Sequence, residues 1–574
     1  MRSRALALAA AALLAAAGTA AAAGPSKPAD PPAGSGQTAF ARTAGGERIL
    51  LVTFSDAPRR AGAEARLAGL GAVAPVLAEA GVWGVTAADP AIARERALTR
   101  ARVLSAEWSL ARATDDRPAP PGPLGAAPAF TDPLFSPSAQ WGLLAGPAWG
   151  ADLTAVGPRP RIAILDSGID PTHEEWGGPS SPLVAPRSTL RGDNDASDHG
   201  DLGHGTHVAG IAAAPANGLG IVGVAPASAA EGQVIPVQIA DNEGASTDDT
   251  MIRGIRHAVN NGAKVINISA GGPGYSRAFQ DAVLWATRKG TLIVASVGNQ
   301  GQDVNALNFP AGYSRVLGVG AQCDGIVTFP DCPTPFAAAT FSNHNHSVDV
   351  IAPGVNVLSS VPVRVQDHVV QAGYALKDGT SMAAPYVAGV AALVMASNDG
   401  VLSPYQVARQ ITNTAADIGR GGRDAVNGYG VINPRAAVTL RGPADDATEV
   451  NDDVKWVKGS TTRLDERRSR VIVATTDRFE DPEDVYPVRL SRGDTLRITL
   501  THRKGVLDVY LWEPGTPTVA TANGNLERHL LRYRSGAPER VVVSYTAERA
   551  GVHFIDVFAR GGGDAYTLRL VRKR

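Results

Sequence analysis

Apolar positions follow three successive rhythms along the chain. Between residues 46 and 114, "ERILLVTFS", "VWGVTA" and "RVLSAEWSLA" read as strands. "PRRAGAEARLAGL" and "DPAIARERALTRA" between them carry helical spacing. That order predicts a small α+β unit. From 129 to 440, "RIAILDSG", "VIPVQIA", "KVINISAGG", "TLIVASVGN", "RVLGVGA" and "VDVIAPG" are apolar with little alternation. Helical stretches fall between several of them: "GTHVAGIAAA", "TDDTMIRGIRHAVNNGA" and "SRAFQDAVLWATRKG". Strands apolar on both faces and joined by crossover helices predict a buried parallel sheet, hence a doubly wound α/β domain. From 445 to 574, "YPVRLSRGDTLRITLTH", "VLDVYLWEPG" and "RVVVSYTAERAGVHFIDVFARG" alternate apolar and polar residues between turn signals. This predicts an antiparallel β-sandwich.

The first 23 residues hold two arginines, an apolar stretch and a run of small residues, which reads as a secretory signal peptide. A membrane anchor is the alternative, but the strongly apolar part is short for a span. A secreted protein with no membrane span is expected. Residues 24–38 are rich in Pro, Ala, Gly and Ser and read as disordered; 115–128, "DDRPAPPGPLGAAP", reads as an extended linker. With 54 Lys+Arg against 55 Asp+Glu, no global field draws nucleic acid. Aromatics make up 5 % and glycines number 63, so the cores must rest on aliphatic residues in close contact. Export bears on the two cysteines, Cys323 and Cys332, which close "CDGIVTFPDC". A disulfide is expected in an oxidising compartment, with two free thiols as the alternative.

In open α/β sheets, sites form at the carboxyl ends of strands. Asp166, Asn299 and the run Ser269–Gly272 all follow strands. His204 and Ser381 each stand where a helix begins. Each residue has a plain structural reading. Asp166 and Asn299 suit turns, and Ser381 suits a helix cap. His207, one turn after His204, could be the functional histidine instead. Together, however, they comprise a base, a carboxylate, a hydroxyl and an amide donor, which is the complement acyl transfer needs.

"ILDSGID", "GHGTHVAG" and "GTSMAAPYVAG", in that order, resemble the subtilisin-like serine proteases, or subtilases; "NISAGG" and "VASVGNQG" match two further blocks. The resemblance implies that Ser381 is the nucleophile, His204 rather than His207 the general base, and Asp166 the residue that orients it. It implies that Asn299 and the N–H of Ser381 bind the oxyanion. It implies protein or peptide substrates that pair in extended form with Gly244, Ala245 and Ser246 on one side and Ser269, Ala270 and Gly271 on the other. No cofactor is implied for the chemistry. A structural Ca²⁺ is, with Asn217 in "ANGLGIVGVAP" and Glu175, where the family usually has aspartate, as ligands. The glutamine the family uses near its mature N-terminus has no clear match. No acidic residue stands clearly in the pocket before the scissile bond, so a neutral or apolar preference is expected there. The unit at 46–114 resembles the family's inhibitor-like propeptide, within a pro-segment of 24–128. This implies an autoprocessed precursor whose propeptide serves as intramolecular inhibitor and chaperone. "DPLFSPSAQWGL" resembles the start of a mature chain, and 445–574 resembles the prepeptidase C-terminal sandwich domain. A monomer is expected. Two other readings compete: a catalytically dead binding protein that works through the sandwich, and an esterase or transpeptidase that uses the same acyl-enzyme. Active-site labelling tests the first, and comparison of amides with esters tests the second.

Overall fold

The computed structural model describes residues 39–40, 49–54, 59–77, 82–86, 93, 96, 100, 103–108 and 110–111, and most of 130–573. The longer stretches left undescribed after 130 are 145–158, 199–202, 441–447, 458–468 and 520–528. The signal peptide expected at 1–23, the lead at 24–38 and the linker at 115–128 lie outside the described residues. The chain forms two compact units, residues 1–118 and 119–574.

The first unit contains β1 (Ala39–Phe40), β2 (Ile49–Phe54), α1 (Arg60–Arg66), β3 (Ala72–Leu77), β4 (Val82–Thr86), β5 (Val103–Trp108) and β6 (Leu110–Ala111). Four of its strands form one antiparallel sheet in the order β3-β4-β2-β5. The sequence reading omits β3, "AVAPVL". Pro75 interrupts its pattern, and Pro is tolerated because β3 is an edge strand. The helix expected at "DPAIARERALTRA" falls largely outside the described residues.

The second unit opens with α2 (Trp141–Leu144), β7 (Arg161–Asp166), β8 (Arg187–Ser188), α3 (His204–Ala213), β9 (Val234–Gln238), α4 (Asp248–Asn260) and β10 (Ala263–Ile268). It continues with α5 (Arg277–Arg288), β11 (Leu292–Ser296), β12 (Val316–Gln322) and β13 (Val350–Pro353). The seven strands make one parallel sheet in the order β13-β12-β11-β10-β7-β9-β8. Its direction of growth reverses between β10 and β7, the kind of switch point at whose carboxyl strand ends open α/β sheets place their sites. Alternate residues of β7 feed opposite cores. Ile162 and Ile164 face a cluster with Val208, Ala212, Val387 and Leu393; Ala163 and Leu165 face Ile255, Phe279 and Val283. This two-sided burial explains the lack of alternation in these strands. The doubly wound α/β fold is thus the observed one.

Two short ladders follow, β14 (Val357–Ser360) with β17 (Tyr374–Lys377) and β15 (Val365–Gln366) with β16 (Val369–Val370). Then come α6 (Thr380–Ser397), α7 (Pro404–Thr414) and α8 (Pro434–Thr439). Helix α6 is long and apolar enough to cross a membrane by composition, but 89 % of it is buried in the fold. It lies under the sheet and against α3. A Cβ on Gly389 would come within 3.0 Å of the Ala212 carbonyl oxygen, so only glycine permits this approach. Cys323 and Cys332 are bonded, with Cα atoms 5.6 Å apart, beside buried Ala321, Ala339 and Val355.

The chain ends in β18 (Ser469–Asp477), β19 (Glu483–Leu490), β20 (Thr495–His502), β21 (Val506–Trp512), β22 (Leu530–Arg534), β23 (Arg540–Thr546), β24 (Gly551–Gly561) and β25 (Gly563–Lys573). Two antiparallel sheets, β18-β25-β20-β23 and β19-β24-β21-β22, enclose a core that includes Leu500, Val509, Ile555 and Leu568. The β18–β19 turn packs against the α/β domain. Buried Arg315 bonds Glu449 at 2.6 Å and Asp452 at 3.2 Å, and also pairs with Asp481. Arg423 pairs with Asp349 at 3.1 Å and lies 4.4 Å over the Phe479 ring.

Candidate active site

The candidate residues stand at the carboxyl ends of β7, β10 and β11 or at the starts of α3 and α6. Asp166 is the last residue of β7 and is buried. Its Oδ1 accepts hydrogen bonds from the backbone N–H of Ser167 at 2.8 Å and from Nδ1 of His204 at 2.7 Å. The side chain of His204 is 30 % exposed and that of Asp166 is 4 %. The imidazole therefore has one ring edge in the protein and one at the surface. This contact requires α3 to start very close to the end of β7. A Cβ on Gly205 would lie 2.2 Å from the carbonyl oxygen of Gly168, so glycine is needed there.

Ser381 is the second residue of α6 and is half-buried. Four residues on, Pro385 has no N–H, so the Ser381 carbonyl loses its helical partner. The Ser269 hydroxyl takes that place, donating to Ser381 O at 2.8 Å. In return the Ser381 hydroxyl donates to Ser269 O at 3.2 Å. Asn267, in β10, donates to Ser269 Oγ at 3.0 Å. The end of β10 is thereby fastened to the first turn of α6.

Asn299 follows β11. Its Oδ1 accepts from Thr380 N at 2.9 Å and Thr380 Oγ1 at 2.8 Å. The Gly298 N–H donates to the same Thr380 hydroxyl at 3.2 Å. With the carbonyl end of its amide held twice, the NH₂ end is aimed the other way. It carries no hydrogen bond among the described residues. A Cβ on Gly379, whose φ is 146°, would stand 3.2 Å from that Nδ2. First-turn N–H groups of a helix, Ser381's included, have no helical acceptor. Two donors therefore lie near one hydroxyl at the positive end of a long helix.

Burial pushes the His204 pKa down and Lys377 adds to that; the charge and hydrogen bond of Asp166, with a contribution from Asp198, outweigh both, and the net shift is upward. His207 differs. It is fully buried, its Nε2 faces the Ala375 carbonyl at 3.0 Å, and burial lowers its pKa to about 3. It is a neutral core histidine and does not touch Asp166.

Among the substrate-binding candidates, Gly244 is exposed with φ 84° and Ser246 is half-buried, while Ala245 lies outside the described residues. Ser269 is buried, Ala270 half-buried and Gly271 exposed. Gly272 and Phe309 exchange backbone hydrogen bonds of 3.1 and 2.8 Å, which holds this strip against Asn308. Asn308 in turn donates to Ser296 O at 3.0 Å.

The two calcium candidates also meet. Asn217 Nδ2 lies 3.4 Å from Glu175 Oε2, and Glu175 Oε1 accepts from the Ile221 N–H at 2.8 Å. Asp132, absent from the sequence reading, accepts from the N–H groups of Asn217 and Gly218 at 3.1 and 3.0 Å. It stands in the "DPLFSPSAQWGL" segment, where a glutamine was sought. Sequence reasoning also missed Thr380, Ser167 and Asp198. The first two sit inside the quoted motifs, next to more conspicuous neighbours.

The Subtilase family profile matches residues 157–430. Subtilisin BL of Lederbergia lenta is 36 % identical over 303 residues, which is 52 % of this chain and 98 % of that protein. Thermitase of Thermoactinomyces vulgaris is 35 % identical over 311 residues, 52 % of this chain and 98 % of its own. Among solved structures, that of fervidolysin from Fervidobacterium pennivorans, described as a keratinolytic enzyme related to subtilisin, aligns with a TM-score of 0.47. It is 21 % identical and covers 94 % of this chain and 96 % of that one.

Proposed function

This chain belongs to the subtilase family and is a subtilisin-like serine endopeptidase, and on that footing we propose that Ser381, His204, Asp166 and Asn299 carry its chemistry. Ser381 Oγ rotates away from Ser269 O and attacks the scissile carbonyl while His204 Nε2 takes its proton. Asp166 holds the imidazole in the tautomer with hydrogen on Nδ1 and stabilises the imidazolium. The oxyanion accepts from Asn299 Nδ2 and the Ser381 N–H. The imidazolium passes its proton to the leaving amine; water then gives a proton to His204 Nε2 as it bonds the acyl carbon, and the ester bond to Ser381 Oγ breaks as the imidazolium returns that proton to the serine. The contact between Asp166 Oδ1 and His204 Nδ1 at 2.7 Å carries this reading. Ser381→Ala, assayed on a peptide amide and on the matching ester, tests it. Both activities should vanish while the folded spectrum persists; turnover within tenfold of wild type would sink the assignment.

The substrate lies extended between Gly244–Ser246 and Ser269–Gly271. The residue before the scissile bond is neutral or apolar, because Ser269, Ala270, Gly271, Gly272 and Asn308, the residues read as facing it, carry no charge. The protein is a secreted, monomeric enzyme, translated with a signal peptide at 1–23. Its 24–128 segment is a propeptide that inhibits and templates the catalytic domain and is cut by the enzyme itself; 129–440 is that domain and 445–574 a sandwich appendage.

Asp132, Glu175 and Asn217 fit a structural Ca²⁺. Burial raises the Glu175 carboxyl to about 7, against hydrogen bonds from Ile221 and Tyr374, and Asp132 and Glu174 add repulsion. A hard cation would relieve that unanswered charge. These three residues would hold it through oxygen, Asn217 by turning its amide, whose Nδ2 now faces Glu175 and whose Oδ1 accepts from Leu219 N at 2.8 Å, bracing the 217–221 loop and leaving the reaction to the residues above.

A further inference from the structure

We propose that Asp198 is a positioning residue for His204, tying the first turn of α3 to the end of β7 so that the imidazole and the Asp166 carboxylate meet. The inference rests on His204 being the general base.

Helix α3 begins without a conventional cap. Its N-cap is Gly203, in the left-handed region at φ 54°, with no side chain to offer. The N–H groups of the second and third helical residues, normally capped by that side chain, need acceptors from elsewhere. Two residues divide the task. Ser167 Oγ accepts from Gly205 N at 2.9 Å. Asp198 Oδ2 accepts from Thr206 N at 3.0 Å and from Thr206 Oγ1 at 2.8 Å. The two caps are joined, because Ser167 Oγ donates to Asp198 Oδ1 at 3.2 Å. Thr206 Oγ1 accepts from Asp170 N at 3.0 Å, which brings the chain beyond β7 into the same set. Asp198 is only 4 % exposed, so water is a poor substitute for it.

The arrangement has one consequence for position and one for charge. His204 is the first residue of α3, and Ser167 directly follows Asp166. The caps thus link the two residues whose side chains must meet at 2.7 Å. Asp198 also adds negative charge near the imidazole. Among the described residues, the charged or titratable groups that bear on His204 are Asp166, Lys377, Asp198 and His207. His207 is neutral, so the two carboxylates oppose Lys377 and burial.

The test measures kcat and KM for a peptide amide across about pH 5 to 8, using mature wild-type enzyme and the variants Asp198→Asn, Asp198→Ala, Thr206→Val and Thr206→Ser. Asp198→Asn keeps the shape and removes the charge, so its acidic limb should move to lower pH. Asp198→Ala removes the acceptor of Thr206 and of the Ser167 hydroxyl and should lower kcat by about 100-fold with KM within about twofold, the cost of misplacing a catalytic group by about 1 Å. Thr206→Val keeps the charge, so kcat should fall with the limb unmoved, and Thr206→Ser should restore it. If Asp198→Ala does not fold, the Asn and Thr206 variants still decide the matter. A wild type whose rate stays flat over this range removes His204 as base, and this proposal with it. A wild type with the limb, paired with an Asp198→Asn limb that does not move or a Thr206→Val kcat equal to wild type, overturns the role of Asp198 alone.

Discussion

Replacing Arg315 with Met should weaken the chain more than any surface change, and more at alkaline than at acid pH. The guanidinium side chain is 2 % exposed, and its partners Glu449, Asp452 and Asp481 are 8 %, 7 % and 0 % exposed. Asp484 adds a further acid, with oxygens of Glu449, Asp481 and Asp484 within 4.8 Å of one another. Methionine fills much of the space but leaves the carboxylates facing each other. Removing one partner of a buried ion pair costs about 3–5 kcal/mol. For a domain of ordinary size that lowers Tm by roughly 6–20 °C. Burial already pushes Asp481 well above the ordinary carboxylate range; Arg315 pulls it down, and Glu449, Asp484 and Asp452 push it up again. Without Arg315 the folded-state value rises further. A carboxyl raised in the folded state takes up protons on folding, so stability is lost as pH climbs from the unfolded value, about 4, through the folded one. The deficit should therefore be small at about pH 5 and large at about pH 8. Scanning calorimetry of both proteins at the two pH values measures it. The active site lies at the opposite ends of the strands, so hydrolysis of a small peptide at 25 °C should survive. A Tm within 2 °C of wild type at both pH values would refute the burial argument, and an equal loss at both would refute its electrostatic part.

Asn299→Ala should lower kcat by about 100- to 1,000-fold with KM little changed, a figure that comes from subtilisin rather than from this geometry; an effect confined to KM would speak against an oxyanion role. Because the His204 pKa is raised, kcat/KM should fall as pH drops through a value above 6.5, the neutral imidazole being the active form; an acidic limb below the ordinary histidine value would contradict that shift. Ca²⁺ should raise Tm more at pH 8 than at pH 5, since Glu175 must release its proton to bind, and Glu175→Gln should abolish the difference. Intact mass should show wild-type precursor cut between residues 113 and 138 and the Ser381→Ala precursor left whole in a host without similar proteases; trimming of both at one bond would mean that another enzyme makes the cut.

What the sequence displayed well was the interior. The strands β7, β10, β11 and β12 are buried on both faces for most of their length, so mostly apolar residues build them. The strands it concealed, β1, β3, β8, β14 to β18 and β22, are all at sheet edges or in two-stranded ladders. An edge needs little burial, so Pro75 fits in β3, and β22, "LLRYR", spends most of its length at the surface. The short helices α7 and α8 were also overlooked, although Ser403 and Asn433 cap them and each has Pro at its start. In the site, residues with distinctive chemistry were visible through their motifs. Choosing His204 over His207 needed the family resemblance, because spacing treats both alike; burial separates them at once. Asp198 was hidden because its work is done across a loop, on N–H groups that no residue pattern reveals. Thr380 was hidden by its neighbour, since a threonine at the start of a helix reads as a helix starter when its hydroxyl in fact steers the Asn299 amide.

The central claim is that Ser381, activated by His204, is the nucleophile. Treating the folded enzyme with a fluorophosphonate and mapping the adduct by mass spectrometry tests it most directly. One adduct should form, on Ser381, absent in Ser381→Ala and formed far more slowly in His204→Ala. An adduct on any other residue, or one that forms as fast without His204, would contradict it.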